Sequence, residues 1–477
     1  MLFPTRVFLL FFVLVWSAYW ALQPRRRAQN ALLLAASWYF YGYWDERFLI
    51  LIGISTVVDW LCGLGFDRYR GRALAMRLLM GVSLLVNLGA LAFFKYWNFF
   101  ADSAAELCGR LGLGAPDWTL QIVLPVGISF YTFQTLSYSI DRYRGAIPTE
   151  RDLIDFAFFV SFFPQLVAGP IVRASEFLPQ TRSTRTFRWE DQAGGLRLAL
   201  WGLFKKTVVA DNLAPAVDTV FGAESEVGYL ARLIAVYAFA IQIYCDFSGY
   251  TDIARGTARM LGFEFPFNFL RPYFSRDPST FWRRWHVSLS SWLRDYLYIG
   301  LGGNRRGPRR TYVNLMATMA LGGLWHGAAW NFVLWGVYQG ALLVVHRLWR
   351  EKRGPAAELA PPLALLQGVL FFQFVCLGWL FFRAQSFEQI ATFLTPTSAG
   401  LLAGLTLSDV VAGGLVLGGL GALVVLVWDA CAARASDPET PLERAPLVVQ
   451  LGACTALYLA ISFAGRFLGN EFIYFQF

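Results

Sequence analysis

Long apolar runs, rather than an apolar and polar alternation, organise this chain. A membrane-spanning helix needs roughly 20 predominantly apolar residues. Runs of about that length fall near 7–22, 30–43, 48–64, 78–97, 119–139, 198–212 and 229–247, and then near 311–328, 330–346, 363–382, 411–428 and 446–465. The pattern predicts an all-α polytopic integral membrane protein with about a dozen spanning helices. A further run, Ile154 to Val172, is interrupted by Pro164, Gln165, Gly169 and Pro170. These free or remove backbone hydrogen bonds that lipid cannot satisfy, so the run is expected to be re-entrant or buried in protein. The first run opens almost at Met1, and Gln23-Pro24-Arg25-Arg26-Arg27 follows it without a small-residue cleavage site. It reads as a retained first span rather than a signal peptide.

The long segment between the runs near 229–247 and 311–328 is different. It carries eleven arginines from Arg255 to Arg310 against Glu264, Asp277 and Asp295. Within it Trp282, Trp285, Leu289, Trp292, Leu293 and Tyr296 share one helical face, while Arg283, Arg284, Ser288, Ser291 and Arg294 fall opposite. That spacing predicts an interfacial helix. Such a helix either lies on the bilayer or lines a cytoplasmic mouth where an anionic substrate docks.

Composition agrees with a lipid solvent. Hydrophobic residues make up 56% and charged residues 15%, where soluble domains carry about 25% charged residues. Soluble, disordered and disulfide-rich secreted classes are excluded. The net charge of +9 sits between apolar runs, which points to lipid headgroups and topology and away from nucleic acid. If the chain starts outside, Arg25 to Arg27, Arg68 to Arg77, Arg182 to Arg197 and the group Arg347, Arg350, Lys352 and Arg353 all fall on the cytoplasmic side, provided 154–172 does not cross. The acidic loop from Asn98 to Trp118 then falls outside, and both ends do too. No repeat or linker divides residues 1–477, which are expected to form one membrane-embedded domain. Six scattered cysteines without a CxxC spacing suggest neither zinc nor a redox pair, and no metal site is expected.

The chain has only three histidines. His346 ends an apolar run among basic residues and needs no function. His326 sits in Leu321-Gly322-Gly323-Leu324-Trp325-His326-Gly327-Ala328-Ala329-Trp330-Asn331-Phe332, inside an apolar run. Ionisable groups at such depth are costly and mark pathways or chemistry. A neutral imidazole there either donates to a carbonyl as a core histidine or accepts a proton as a general base, and Gly322, Gly323 and Gly327 permit close approach of backbone or a thin substrate. His286, beside Trp285 and Ser288, is either an interfacial residue without function or one that orients a substrate or holds a second proton. Asp246 and Asp252 follow a span and should be paired, with Arg255 or Arg259, or face water. The candidate substrate-binding residues are Arg283, Arg284, Trp325, Asn331, Asp246 and Asp252. The chain has no P-loop, G-x-S-x-G elbow, H-E-x-x-H or Rossmann fingerprint, which argues against ATP-driven transport and zinc proteolysis.

Several blocks in order give this chain a family resemblance. They are Phe94 to Phe100 (FKYWNFF), Leu124 to Arg144 (LPVGISFYTFQTLSYSIDRYR), Phe163 to Ile171 (FPQLVAGPI), Asp246 to Asp252 (DFSGYTD), Phe281 to Leu289 (FWRRWHVSL), Leu324 to Gly327 (LWHG) and Phe472 to Phe477 (FIYFQF). Across nearly the whole chain it resembles the membrane-bound O-acyltransferases, in the bacterial branch typified by alginate O-acetyltransferase. The resemblance implies a ring of tilted helices whose cytoplasmic and extracytoplasmic funnels meet near His326. It makes His326 the essential buried histidine and His286 its second polar position, which positions the donor or stabilises developing charge. It further implies an inner-membrane acetyltransferase taking acetyl from a cytoplasmic donor, acetyl-CoA, with no permanently bound cofactor. The acetyl group would serve an exported polysaccharide, alginate first and cellulose or another exopolysaccharide next. The implied partners are membrane lipids, the acyl donor and a periplasmic SGNH-type acetyltransferase or another polysaccharide-modifying protein. D-alanyl transfer to teichoic acid from a carrier protein, and a transporter or channel, remain as alternatives.

Overall fold

A computed structural model describes every residue except 115–116, 223–226, 355–359, 397–408, 433–444, 468–471 and 474–477. Of the closing block Phe472 to Phe477, only Phe472 and Ile473 are therefore described, and the remainder lies outside the described residues. Helices make up the regular structure, with no strand among the described residues. The chain folds as two compact units, Met1–Gln192 with Thr257–Pro266, and Ala193–Gly256 with Phe267–Phe477.

The first unit contains α1 (Arg6–Ala21), α2 (Arg26–Gly42), α3 (Phe48–Arg68), α4 (Ala73–Leu91), α5 (Trp97–Arg110), α6 (Ile128–Tyr143), α7 (Leu153–Ser161), α8 (Phe163–Leu166) and α9 (Ala174–Arg182). A π-helical turn, Ala92–Tyr96, joins α4 to α5. Two carboxylates inside this apolar unit are matched by neighbouring polar groups, as a lipid solvent favours. Asp59 on α3 accepts from Ser83 Oγ (2.5 Å) and Asn87 Nδ2 (2.7 Å) of α4 and from Ser139 Oγ (2.7 Å) of α6. Asp155 on α7 accepts from Asn30 Nδ2 (2.7 Å) and pairs with Arg26 (3.1 Å), both on α2. The interrupted run is resolved by burial in protein, since every residue from 155 to 172 is buried. Its phenylalanines Phe158 and Phe162 pack against Phe177 and Phe263 at ring distances of 5.1–5.7 Å.

α10 (Trp189–Leu203) begins in the first unit and leads the second, through a π-helical turn, Phe204–Ala210, into α11 (Asp211–Gly222). There follow α12 (Tyr229–Met260), whose last residues return to the first unit, α13 (Pro278–Trp282), α14 (Val287–Trp292), α15 (Gly307–His326), α16 (Trp330–Arg353), α17 (Pro361–Arg383), α18 (Phe387–Leu394), α19 (Asp409–Ala432) and α20 (Leu447–Ala464). α10 and α12 touch through two glycine pairs, each helix contributing glycines seven residues apart. A Cβ built on Gly202 would lie 2.5 Å from Gly249 O, and one on Gly256 would lie 2.5 Å from Gly195 O. Small residues at such a crossing let two backbones meet where no hydrophobic effect drives them together.

The apolar runs locate the helices, with two physical corrections. Within the run near 119–139 the helix begins only at Ile128, after Pro125 and the left-handed Gly127 (φ 77°). The single interfacial helix expected over 282–296 is broken. α13 ends before His286, whose left-handed backbone (φ 43°, ψ 55°) starts α14, and a π-helical turn, Leu293–Tyr298, follows. Trp285, Leu289 and Trp292 are buried in protein instead of lying on lipid, and Ser288 from the supposed polar face is buried with them. Six described helical stretches are long and apolar enough to cross a membrane: Phe48–Arg68, Ala73–Arg110, Tyr229–Met260, Pro361–Arg383, Val411–Ala432 and Leu447–Ala464.

The glycine crossing yields a stability prediction. Gly256→Val should cost about 1–3 kcal/mol through overpacking, lowering the Tm of the detergent-solubilised protein. Gly413→Ala, where a Cβ meets nothing within 4 Å, should leave Tm unchanged or raise it. Equal Tm values for both variants would contradict the close crossing.

Candidate active site

His326 is the last residue of α15, which ends because Gly327 turns extended (φ −157°, ψ 149°). α15 and α16 meet backbone to backbone just before it. A Cβ on Gly323 would lie 2.2 Å from Phe332 O, and one on Gly336 would lie 2.3 Å from Met319 O. A Cβ on Gly327 would collide with the Phe332 ring at 2.1 Å. Of the glycines flagged by the sequence, Gly323 and Gly327 admit the neighbouring helix, and Gly322 faces the Leu293 side chain. His326 is 3% exposed. Its ring meets those of Trp325 and Trp335 at 5.1 Å and that of Phe382 at 5.5 Å, all edge-on.

His286 is fully buried. Its ring centroid lies 6.4 Å from that of His326, so two of the three histidines of the chain converge. Phe247 of α12 meets it edge-on at 4.7 Å, and Phe269 and Trp325 lie at 6.4 and 6.1 Å. Its Nδ1 is 3.0 Å from Asn268 Oδ1. Burial pushes this imidazole down to about 3, because the charged form loses its hydration. Aromatic packing continues outward through Trp285, stacked on Phe281 at 5.7 Å and in contact with Trp379 at 4.7 Å.

The remaining candidates divide by role. Trp325 walls both imidazoles. Asn331 donates from Nδ2 to Ala384 O (2.8 Å), tying the start of α16 to the end of α17. Asp246 and Asp252 are paired, but not with Arg255 or Arg259. Arg255 lies 4.4 Å over the Phe267 ring, and Arg259 faces Asp191 at 3.6 Å in the first unit. The partners of the two carboxylates come from the π-helical turn. Lys206 Nζ lies 2.5 Å from Asp246 and 2.9 Å from Asp211, and Lys205 Nζ lies 2.6 Å from Asp252 and donates to Ser248 Oγ at 2.9 Å. Asp246 also accepts from the Ile473 backbone N–H at 2.8 Å, and Phe472 packs on Phe247 at 5.4 Å. The ion pairs therefore hold the residues that hold Phe247 against His286. Sequence reading missed Lys205 and Lys206, although two adjacent lysines in an apolar run carry the same cost signal as His326. It also missed Asn268.

Arg283 is exposed and donates to Thr280 Oγ1 (2.9 Å), and Arg284 is half-buried and donates to Phe274 O (3.2 Å). The Arg284 guanidinium is held below its usual range by burial and by Arg271, Arg283 and Arg276 around it. Like charges gathered this way favour an anion. Arg271 itself adopts a left-handed backbone (φ 54°), and its Nη1 is buried without a hydrogen-bond partner. His346 lies 3.3 Å from Ser279 Oγ and 3.9 Å from Asp277. The described residues contain no group of His, Cys, Asp and Glu arranged to hold a metal ion.

Comparison with known proteins places these residues in context. Residues 144–356 match the membrane-bound O-acyltransferase family. The chain is 42% identical over 388 residues to a probable alginate O-acetylase of Azotobacter vinelandii, covering 81% of this chain and 76% of the relative. It is 43% identical over 390 residues to a probable alginate O-acetylase of Pseudomonas aeruginosa, covering 81% and 73%. A peptidoglycan O-acetyltransferase of Helicobacter pylori is 35% identical over 421 residues, covering 82% and 78%.

The lysine network is testable through stability. Removing one partner of a buried ion pair leaves an uncompensated charge at a cost of about 3–5 kcal/mol. Lys206→Met should therefore sharply reduce Tm and the yield of monodisperse protein, and adding Asp246→Asn and Asp211→Asn should recover part of both. An unchanged Tm in the single variant would remove the network from its supporting role.

Proposed function

Given that the chain belongs to the membrane-bound O-acyltransferase family, we propose that it takes an acetyl group from a cytoplasmic thioester, acetyl-CoA, and passes it across the inner membrane for O-acetylation of an exported polysaccharide, alginate first. The observation that carries this reading is the buried meeting of His326 and His286 in a chain whose relatives are named a probable alginate O-acetylase and a peptidoglycan O-acetyltransferase. His326 acts as general base. It takes the proton of an acceptor hydroxyl as that oxygen attacks the thioester carbonyl, the C–S bond breaks, and the proton passes to the departing thiolate. The aromatic wall of Trp325, Trp335 and Phe382 shields the thioester from water.

The arginine group around Arg284 receives the donor's phosphates. Charge-assisted, bidentate contacts suit guanidinium to that task, and the unpartnered Arg271 Nη1 gives a buried donor for one more. Arginine counts between the spans support placing this group on the cytoplasmic side, with both ends of the chain periplasmic. The dozen crossings use α1, α2, α6, the bent α10–α11 pair, α15 and α16 alongside the six long apolar stretches, with cytoplasmic and periplasmic funnels meeting at His326. A periplasmic SGNH-type acetyltransferase completes transfer to the polymer.

Two outcomes test this reading. Replacing His326 by Ala should lower acetyl transfer by about 10²–10⁴-fold, the usual worth of a general base, with the protein still monodisperse. More than a few per cent residual acetylation in cells carrying only that variant would sink the assignment. Arg284→Ala should raise the KM for acetyl-CoA by the equivalent of about 1.5–3 kcal/mol with a smaller change in kcat. An unchanged KM would move the donor site elsewhere.

A further inference from the structure

The hydrogen bonds around Asn268 fix a property of His286 that its burial alone leaves open. Asn268 is 1% exposed. Its Oδ1 receives the backbone N–H of Ser288 at 3.3 Å and the Ser288 hydroxyl at 2.9 Å. A backbone N–H can only donate, so the amide atom at that point is the carbonyl oxygen. The amide nitrogen accordingly faces Thr251 Oγ1, at 3.4 Å. The same oxygen lies 3.0 Å from His286 Nδ1, and an acceptor there demands a hydrogen on Nδ1. A second contact locks the two segments together, with Val287 N donating to Asn268 O at 2.9 Å. The left-handed backbone of His286 is the strained conformation that lets one asparagine reach both its ring and the following residue.

A hydrogen on Nδ1 belongs either to the neutral Nδ1–H tautomer or to the imidazolium. The ring is packed among those of Phe247, Phe269, Trp325 and His326. The nearby carboxylates on α12, Asp246 and Asp252, are neutralised by Lys206 and Lys205. Burial among apolar rings favours the neutral form.

We infer that Asn268 is a positioning residue that fixes His286 as the neutral Nδ1–H tautomer, so that its Nε2 carries a lone pair in place of a hydrogen. His286 thus accepts a hydrogen bond or a proton and does not donate one to a developing oxyanion. Its task is to hold a donor, the acceptor hydroxyl or an N–H of His326. This role rests on the acyl-transfer reading above, whereas the tautomer does not.

Three histidines make a direct measurement tractable. Uniform ¹⁵N-histidine labelling of the full chain in detergent, with His286→Gln to assign its signals, should show His286 with a pyrrole-type Nδ1 and a pyridine-type Nε2 that does not titrate from about pH 5 to 8. A pyrrole-type Nε2, or titration in that range, would overturn the inference. Asn268→Asp keeps the acceptor and adds a negative charge, so the acidic limb of kcat/KM should move up by roughly 1–3 pH units. Asn268→Leu should lower kcat far more than it raises KM, with His286 Nδ1 losing its fixed tautomer. An Asn268→Asp profile identical to wild type would reduce Asn268 to a backbone tie and overturn its positioning role. Should neither variant yield monodisperse protein, the wild-type spectrum decides the tautomer alone. The expected spectrum in a protein that transfers no acetyl group would refute the acetyltransferase reading and leave the tautomer standing.

Discussion

The interior of the second unit depends on two adjacent lysines. Lys205 and Lys206 place two cations among the apolar helices α10, α11 and α12, and carboxylates from α11 and α12 meet them at 2.5–2.9 Å. A buried ion pair is weak evidence for net stability, so its presence asks for another reason. The reason lies in what else Asp246 holds. One oxygen faces Lys206 and the other receives Ile473 N–H, which sets Phe472 against Phe247 and Tyr250. Phe247 then stands edge-on to His286. Charge pairing at one depth thereby fixes an aromatic ring at another.

Around the two histidines the same constraint takes a different form. Lipid offers no hydrogen bonds, so a buried polar side chain is stabilised by partners within the protein. Asn268 matches His286 and Ser288 together. Asn331 ties the start of α16 to the end of α17, and α15 and α16 meet backbone to backbone at Gly323 and Gly336. The outer arginines are the opposite case. Arg283 is exposed and Arg284 half-buried, whereas both histidines are buried.

The helix positions were legible because a span has a minimum length, and apolar runs declare it. The two histidines were legible because ionisable residues in such runs are costly. The broken segment around His286 was not, since Trp282, Trp285, Leu289 and Trp292 hold helical spacing across a left-handed residue that periodicity cannot detect. Pairing of Asp246 and Asp252 was foreseen, but the partners were sought among arginines nearby in sequence. Contacts forty or more residues apart are set by how α10 crosses α12, and the glycines that fix the crossing look unremarkable in a sequence where Gly occurs 43 times. Asn268 gave no signal, because an asparagine between two aromatic residues reads as an ordinary loop position.

The π-helical turn Phe204–Ala210 has one consequence for how this chain can diverge. Asp246 and Asp252, six residues apart on α12, point about 120° apart around the axis, and adjacent lysines diverge by about 100° in a regular helix. The wider turn adjusts that divergence so both ammonium groups reach their carboxylates. Deleting one residue would regularise the helix and swing everything beyond it by about 100° and 1.5 Å, stranding one lysine and turning α11 away from α19. Exchanges among small apolar side chains at Val208 or Val209 leave the register intact, whereas a gain or loss of one residue does not. The length of this segment is thus more tightly bound than its composition, and descendants of this chain can vary there by substitution but not by insertion or deletion.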